Sequence, residues 1–168
     1  MHNVENQHWM LASADKNLRL FITAFLIILT LGYTIGLLFV DHTTSGKPTG
    51  LIEEFRGTPE NPAVLELKYA KSSDEMYIFL HNHILSLCVV FFAVGGIMYF
   101  SSIVSPALKA FLMVEPFIAI ATTFGGIWLM RFVSEHFSWL VLVSGVSMVG
   151  CYIVMVALIL TDLWMKRA

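Results

Sequence analysis

The chain has 168 residues, of which 57% are hydrophobic and 13% charged, and its formal net charge is -2. That composition is too apolar for a soluble domain, which needs polar surface to cover its core, and the charge excludes the basic stripe that nucleic-acid binding requires. It specifies an integral membrane protein, with the lipid bilayer as its first expected partner.

Residues 1–17 are polar, carry His2, His8 and Trp9, and read as an interfacial lead-in ending at Lys16 and Arg19. From Leu20 to Val40 there is no charge, enough chain to cross about 30 Å of hydrocarbon at about 1.5 Å per residue. The first helix is therefore expected over about 18–40. The run is too long for the core of a secretory signal and leads into Asp41-His42, so it reads as an uncleaved anchor. Gly32 and Gly36 form a G-x-x-x-G on which a helix of this chain or of a second copy can approach closely.

Residues 41–72 form a structured loop in which Gly46, Pro48, Gly50, Gly57, Pro59 and Pro62 break any long regular element. Leu51 to Phe55 and Val64 to Tyr69 are each expected as a short strand or a turn of helix, folding back as a hairpin-like cap. From Asp41 to Glu75 seven carboxylates face four Lys and Arg, so the cap is mildly acidic.

Ser72 and Glu75 have the spacing of a capping box, which starts the second helix at residue 73 and carries it to about 100. A link containing Pro106 leads to the third helix, about 109–131, with Glu115-Pro116 near its start. Glu115 is expected either to pair with Lys109, Lys166 or Arg167 near the headgroups or to serve a proton or ion relay. The fourth helix, about 137–162, has Gly145 and Gly150 for close packing, and Trp164 follows it as an interface anchor. The fold class is thus all-α: one membrane domain over 1–168, a four-helix bundle with a structured extracytoplasmic loop between helices one and two. Lys and Arg divide evenly between the two sides, but those on the terminal side hug helix ends with few acids nearby. The termini are expected in the cytoplasm.

Four crossings bring His42, His81, His83 and His136 to the loop side, together with Asp41, Glu53, Glu54, Glu75 and Glu135. Imidazoles arriving from different helices at one end of a bundle are what a metal or haem site needs. Residues two apart on a helix point about 200° away from each other, so His81 and His83 have different roles. His83 shares an apolar face with Met76, Phe79, Leu87 and Val90. His81 shares one with Asp74, Tyr77, Leu85 and Cys88, where the Asp74 carboxylate is placed to orient an imidazole.

A lone histidine at a membrane boundary is ordinarily interfacial or hydrogen-bonded; four at one face favour a bound group. Haem b held by axial histidine is preferred to a copper or zinc ion at His81, His83 and His136, because Phe, Leu and Val suit a large apolar macrocycle. No C-x-x-C-H occurs, which excludes covalent haem attachment, and helices one and three have no interior histidine, which limits the number of haems to one or two. Cys88 and Cys151 lie in apolar runs without C-x-x-C spacing and read as small apolar residues; the methionines read as packing.

At Thr43-Thr44-Ser45-Gly46, Glu53 to Gly57, Lys71-Ser72-x-x-Glu75-Met76 and His81-x-His83, the sequence resembles a poorly characterised group of small bacterial four-helix inner-membrane proteins whose second helix opens with H-x-H. The resemblance spans about Thr43 to Met98 and, loosely, Pro116-Phe117. It implies a bacterial inner-membrane location and a functional H-x-H. The function expected is electron transfer, or service as an accessory of a respiratory complex, by a homodimer or within a larger assembly. The alternatives are a non-redox structural or assembly subunit and a small proton-coupled transporter using Glu115, the latter disfavoured because the helices lack broken, inverted repeats.

Overall fold

The computed structural model describes residues 10–58 and 67–165. Within them the chain forms α1 (Lys16–Thr44), α2 (Pro48–Arg56), α3 (Ser73–Tyr99), α4 (Pro106–Phe132) and α5 (Ser138–Trp164), with short 3-10 turns at Leu11–Ser13 and Glu135–Phe137. No strand occurs among the described residues, and four of the helices are long and apolar enough to cross a membrane. Each of α3, α4 and α5 has 27 residues. That is about 40 Å of helix, enough to pass about 30 Å of hydrocarbon with a turn to spare on each side. The lead-in residues His2, His8 and Trp9 lie outside the described residues.

The helix ends follow local chemistry. The Ser72 side chain accepts from the Glu75 N–H at 3.3 Å while the Glu75 carboxylate accepts from the Ser72 N–H at 2.7 Å, so the capping box starts α3 where the spacing predicts. α4 begins at Pro106, earlier than expected, because the Ser105 side chain caps it and proline in the first turn gives up only an N–H that has no helical partner. α1 runs past its expected end to Thr44, which places Asp41 and His42 in its last turn rather than after it. It stops at Ser45 (φ 53) and Gly46 (φ 60), two successive left-handed residues that turn the chain back.

The segment expected to be broken by Pro48 and Gly50 is helical instead. Pro48 occupies the first turn of α2, where it is tolerated, and Leu51 to Phe55 takes the helical option, burying Leu51 and Phe55. Gly50 marks a contact: a Cβ there would stand 1.8 Å from the Thr44 carbonyl oxygen. α2 therefore lies directly on the end of α1. Most of the Val64 to Tyr69 element falls in 59–66, outside the described residues. Its described end does return: the Thr58 N–H donates to the Lys68 carbonyl at 3.0 Å, and the Lys68 N–H donates to Thr58 Oγ1 at 2.9 Å.

α4 is the central element, packed along both α3 and α5 and burying Leu112, Ala119, Ile120, Phe124, Ile127 and Met130. It packs tightly on α5 at Gly126, where a Cβ would meet Val141 at 3.0 Å. Gly145 and Gly150, expected to serve close packing, have open space beside them, and so do Gly32 and Gly36 of the G-x-x-x-G. α1 is peripheral, burying only Ile22, Leu26 and Thr44. Polar contacts hold it to α5: Tyr33 stacks on Tyr152 at 4.1 Å, the Thr30 and Tyr152 hydroxyls lie 3.0 Å apart, and Trp164 Nε1 donates to Thr23 at 3.0 Å. At the terminal side the Leu11 N–H donates to the Phe100 carbonyl and the Ser102 N–H to Asp162, so residues 10 and 165 end on one side and α2 caps the other.

Gly50→Ala is expected to cost about 1–3 kcal/mol, the range for overpacking a tight contact. It should read as a lower thermal midpoint of the detergent-solubilised protein, whereas Gly36→Ala, facing open space, should leave the midpoint nearly unchanged.

Candidate functional site

The cap side is organised by charges that answer helix ends. α1 and α4 finish here, and the last carbonyls of a helix have no helical donor. Arg56 of α2 donates to the Met130 carbonyl at 2.9 Å, and Lys68 donates to the Thr43 carbonyl at 2.6 Å, each placing a cation at a helix C-terminus. Arg131 reaches back to the Lys71 carbonyl at 2.8 Å. Glu54 joins the system from the middle, pairing with Lys68 at 3.1 Å and Lys71 at 2.9 Å. Partial desolvation pushes the Glu54 carboxyl up, but the hydrogen bonds and charges of Lys71 and Lys68 outweigh it and hold it below the usual carboxylate range.

The histidines are distributed around this cap. His83 lies one turn along α3 from Phe79, which itself packs edge-on against Phe55 of α2 with ring centres 5.2 Å apart. The imidazole rests on Phe79 at 4.2 Å and faces Phe124 of α4 at 5.7 Å. Its Nδ1 donates to the Phe79 carbonyl at 2.9 Å, since a carbonyl only accepts. That bond fixes the tautomer in which Nε2 carries the free lone pair, the form a metal or haem iron requires. His83 as a residue is exposed.

His83 is thus the member of the pair turned toward α4, on the apolar face predicted for it. His81 is exposed and has no side-chain hydrogen bond, ion pair or ring contact among the described residues, and Asp74, near the start of α3, is exposed as well. Glu75 is committed to the capping box. His42 is exposed in the last turn of α1. His136 lies in the turn between α4 and α5 and lines a shallow cavity of about 440 Å³ with Lys47, Thr49, Ile52, Glu135 and Trp139. Among the described residues no three His, Cys, Asp or Glu side chains come within reach of a single ion. The donor set therefore fits one axial position on haem, at His83, better than a multi-ligand copper or zinc centre.

Glu115 does not pair with Lys109, which donates instead to the Tyr99 carbonyl at 3.0 Å and to the Ser101 carbonyl. Its other expected partners, Lys166 and Arg167, lie outside the described residues. Glu115 points between α4 and α5, where Ser147 donates to one carboxylate oxygen. The sequence reading missed Ser147, although Ser144, Ser147 and Cys151 recur at helical spacing on one face of α5. It also missed Glu54, Lys68 and Lys71 as partners, because charges in a loop carry no periodicity that reveals who meets whom.

Four apolar spans around a common core, with polar ends answered by a cap, define a multi-pass, all-α membrane protein. The chain belongs to the transmembrane helical domain family Aq_1264_TM, whose model matches residues 45–168. No curated protein and no solved structure shows significant similarity to it.

The lowered Glu54 pKa sets a pH window. Its pairing contributes fully above the ordinary carboxyl value of 4.5 and is lost as pH falls through the lower folded value. Protection of the amides in residues 67–72, measured as exchange relative to the intrinsic rate at each pH, should fall below that point, and Glu54→Gln should give low protection at neutral pH with little further loss in acid.

Proposed function

We propose that the protein is a membrane-bound b-type haem protein of a bacterial inner membrane, acting in electron transfer or as an accessory of a respiratory complex. The cap is extracytoplasmic and the termini are cytoplasmic. The observation that carries the reading is the His83 imidazole, with Nδ1 bonded to the Phe79 carbonyl, Nε2 left free, and aromatic faces from Phe79 and Phe124 beside it. Haem bound there would supply one-electron chemistry, and the protein would supply the axial nitrogen and an apolar edge for the macrocycle. His81, His136 and His42 do not gather with His83 among the described residues, so a further nitrogen for the haem would come from a second copy or from a partner subunit. A homodimer or a larger respiratory complex follows from that.

A second reading is favoured by the cap itself. Glu54 pairs with Lys68 and Lys71, Arg56 and Lys68 answer two helix ends, and Arg131 holds the Lys71 carbonyl, as expected of a non-redox structural or assembly subunit whose polar side serves to hold shape. Absorption spectra of the purified protein, oxidised and reduced, separate the two. The haem reading expects a Soret band that shifts on reduction, is lost in His83→Ala and persists in Cys88→Ala. A preparation that stays colourless after expression with added haem, and that holds no iron, copper or zinc by elemental analysis, would overturn it in favour of the structural subunit.

A further inference from the structure

A second polar centre lies away from the cap, between α4 and α5. Glu115 is nine residues into α4 from Pro106, and Ser147 is nine residues into α5 from Ser138. The helices run antiparallel, so a carboxyl that reaches from one to the other stands about 13 Å or more from either end of the helix pair, which is inside the hydrocarbon layer even with a turn of overhang on each side. Ser147 Oγ donates to Oε1 of Glu115, and the Cys151 thiol, one turn along α5, lies beside the same carboxyl. Oε2 is buried and has no hydrogen-bond partner among the described residues.

The helix backbone is interrupted beside it. Pro116 has no N–H, so the carbonyl of Leu112, four residues earlier in α4, loses its helical donor. One turn outward from Ser147, the Thr123 and Ser144 hydroxyls pair at 2.7 Å, continuing a polar line along the α4–α5 seam toward the cap. The Ser147 hydroxyl and the weakly donating Cys151 thiol bring no charge to this carboxylate, and in hydrocarbon it is costly unless a positive charge meets it. The described cation nearest in sequence, Lys109, is committed to the Tyr99 and Ser101 carbonyls.

We propose that Glu115 and Ser147 form an intramembrane binding site for a single monovalent cation, H⁺ or Na⁺. One carboxylate balances one positive charge, which disfavours a divalent ion, and the carboxylate and hydroxyl oxygens suit a hard ion. The site is independent of His83 and of any haem.

The test uses dicyclohexylcarbodiimide, an apolar reagent that modifies protonated carboxyls within membranes, on the full-length protein in lipid nanodiscs, read by mass spectrometry of the labelled peptide. Label is expected on Glu115 and is expected to vanish in Glu115→Gln. If the ion is H⁺, labelling falls as the pH is raised and ignores Na⁺. If it is Na⁺, labelling at fixed pH is slowed by NaCl but not by choline chloride, and Ser147→Ala weakens that protection while keeping the label. Absence of label on Glu115, or labelling indifferent to both pH and Na⁺, would overturn the site. Should Glu115→Gln fail to accumulate, the pH and Na⁺ series on the wild-type protein still decides the matter.

Discussion

In hydrocarbon no water is present to satisfy a peptide group, so every backbone N–H and C=O must be answered by the protein itself. The spans meet this demand internally along their lengths, and the remaining burden falls on their ends. At the cap side two helices finish and two begin. The beginnings are answered locally, by the Ser72 and Glu75 box for α3 and by the 3-10 turn at Glu135–Phe137 ahead of α5. The endings are answered from a distance, by Arg56 on α4 and Lys68 on α1. The loop from Ser45 to Ser72 is therefore less a linker than the element that closes two helices, and Glu54 holds its cations in place.

The same arrangement explains why the histidines divide. A histidine on the α3 face that meets α2 and α4 acquires neighbours, a fixed tautomer and a defined free nitrogen. One placed two residues earlier acquires none of these, because a helix turns about 200° between them. His42 and His136 belong to the ends of other elements, the last turn of α1 and the turn ahead of α5, and among the described residues they do not gather with His83 around one ion. Of the four, His83 alone has ring contacts to a neighbouring helix among the described residues.

Buried polarity is concentrated on α5. Tyr152 ties it to α1, Ser144 and Ser147 tie it to α4, and Asp162 ties it to Ser102 on the terminal side. Between lipid-like surfaces apolar side chains supply little preference for one helix partner over another, since lipid tails are equally apolar. Hydroxyl pairs and aromatic stacking do discriminate, which is why a helix as sparsely buried as α1 still has a defined place.

The sequence by itself determined the membrane class, the four spans, the capping box that starts α3 and the split between His81 and His83, because each depends on hydropathy or on spacing within a few residues. It misjudged Pro48 and Gly50, since a breaker and a close-contact glycine are the same residue until the partner surface is known. It assigned Gly145 and Gly150 to packing when Gly126 makes the contact, because a glycine's face is set by which neighbour happens to lie there. The partners of Glu54 and the burial of Glu115 against Ser147 were decided only by the tertiary structure. Those interactions join residues 14 and 32 positions apart, and which charge or hydroxyl meets which depends on how α2 lies on the helix ends and how α4 and α5 are registered, information that no local pattern carries.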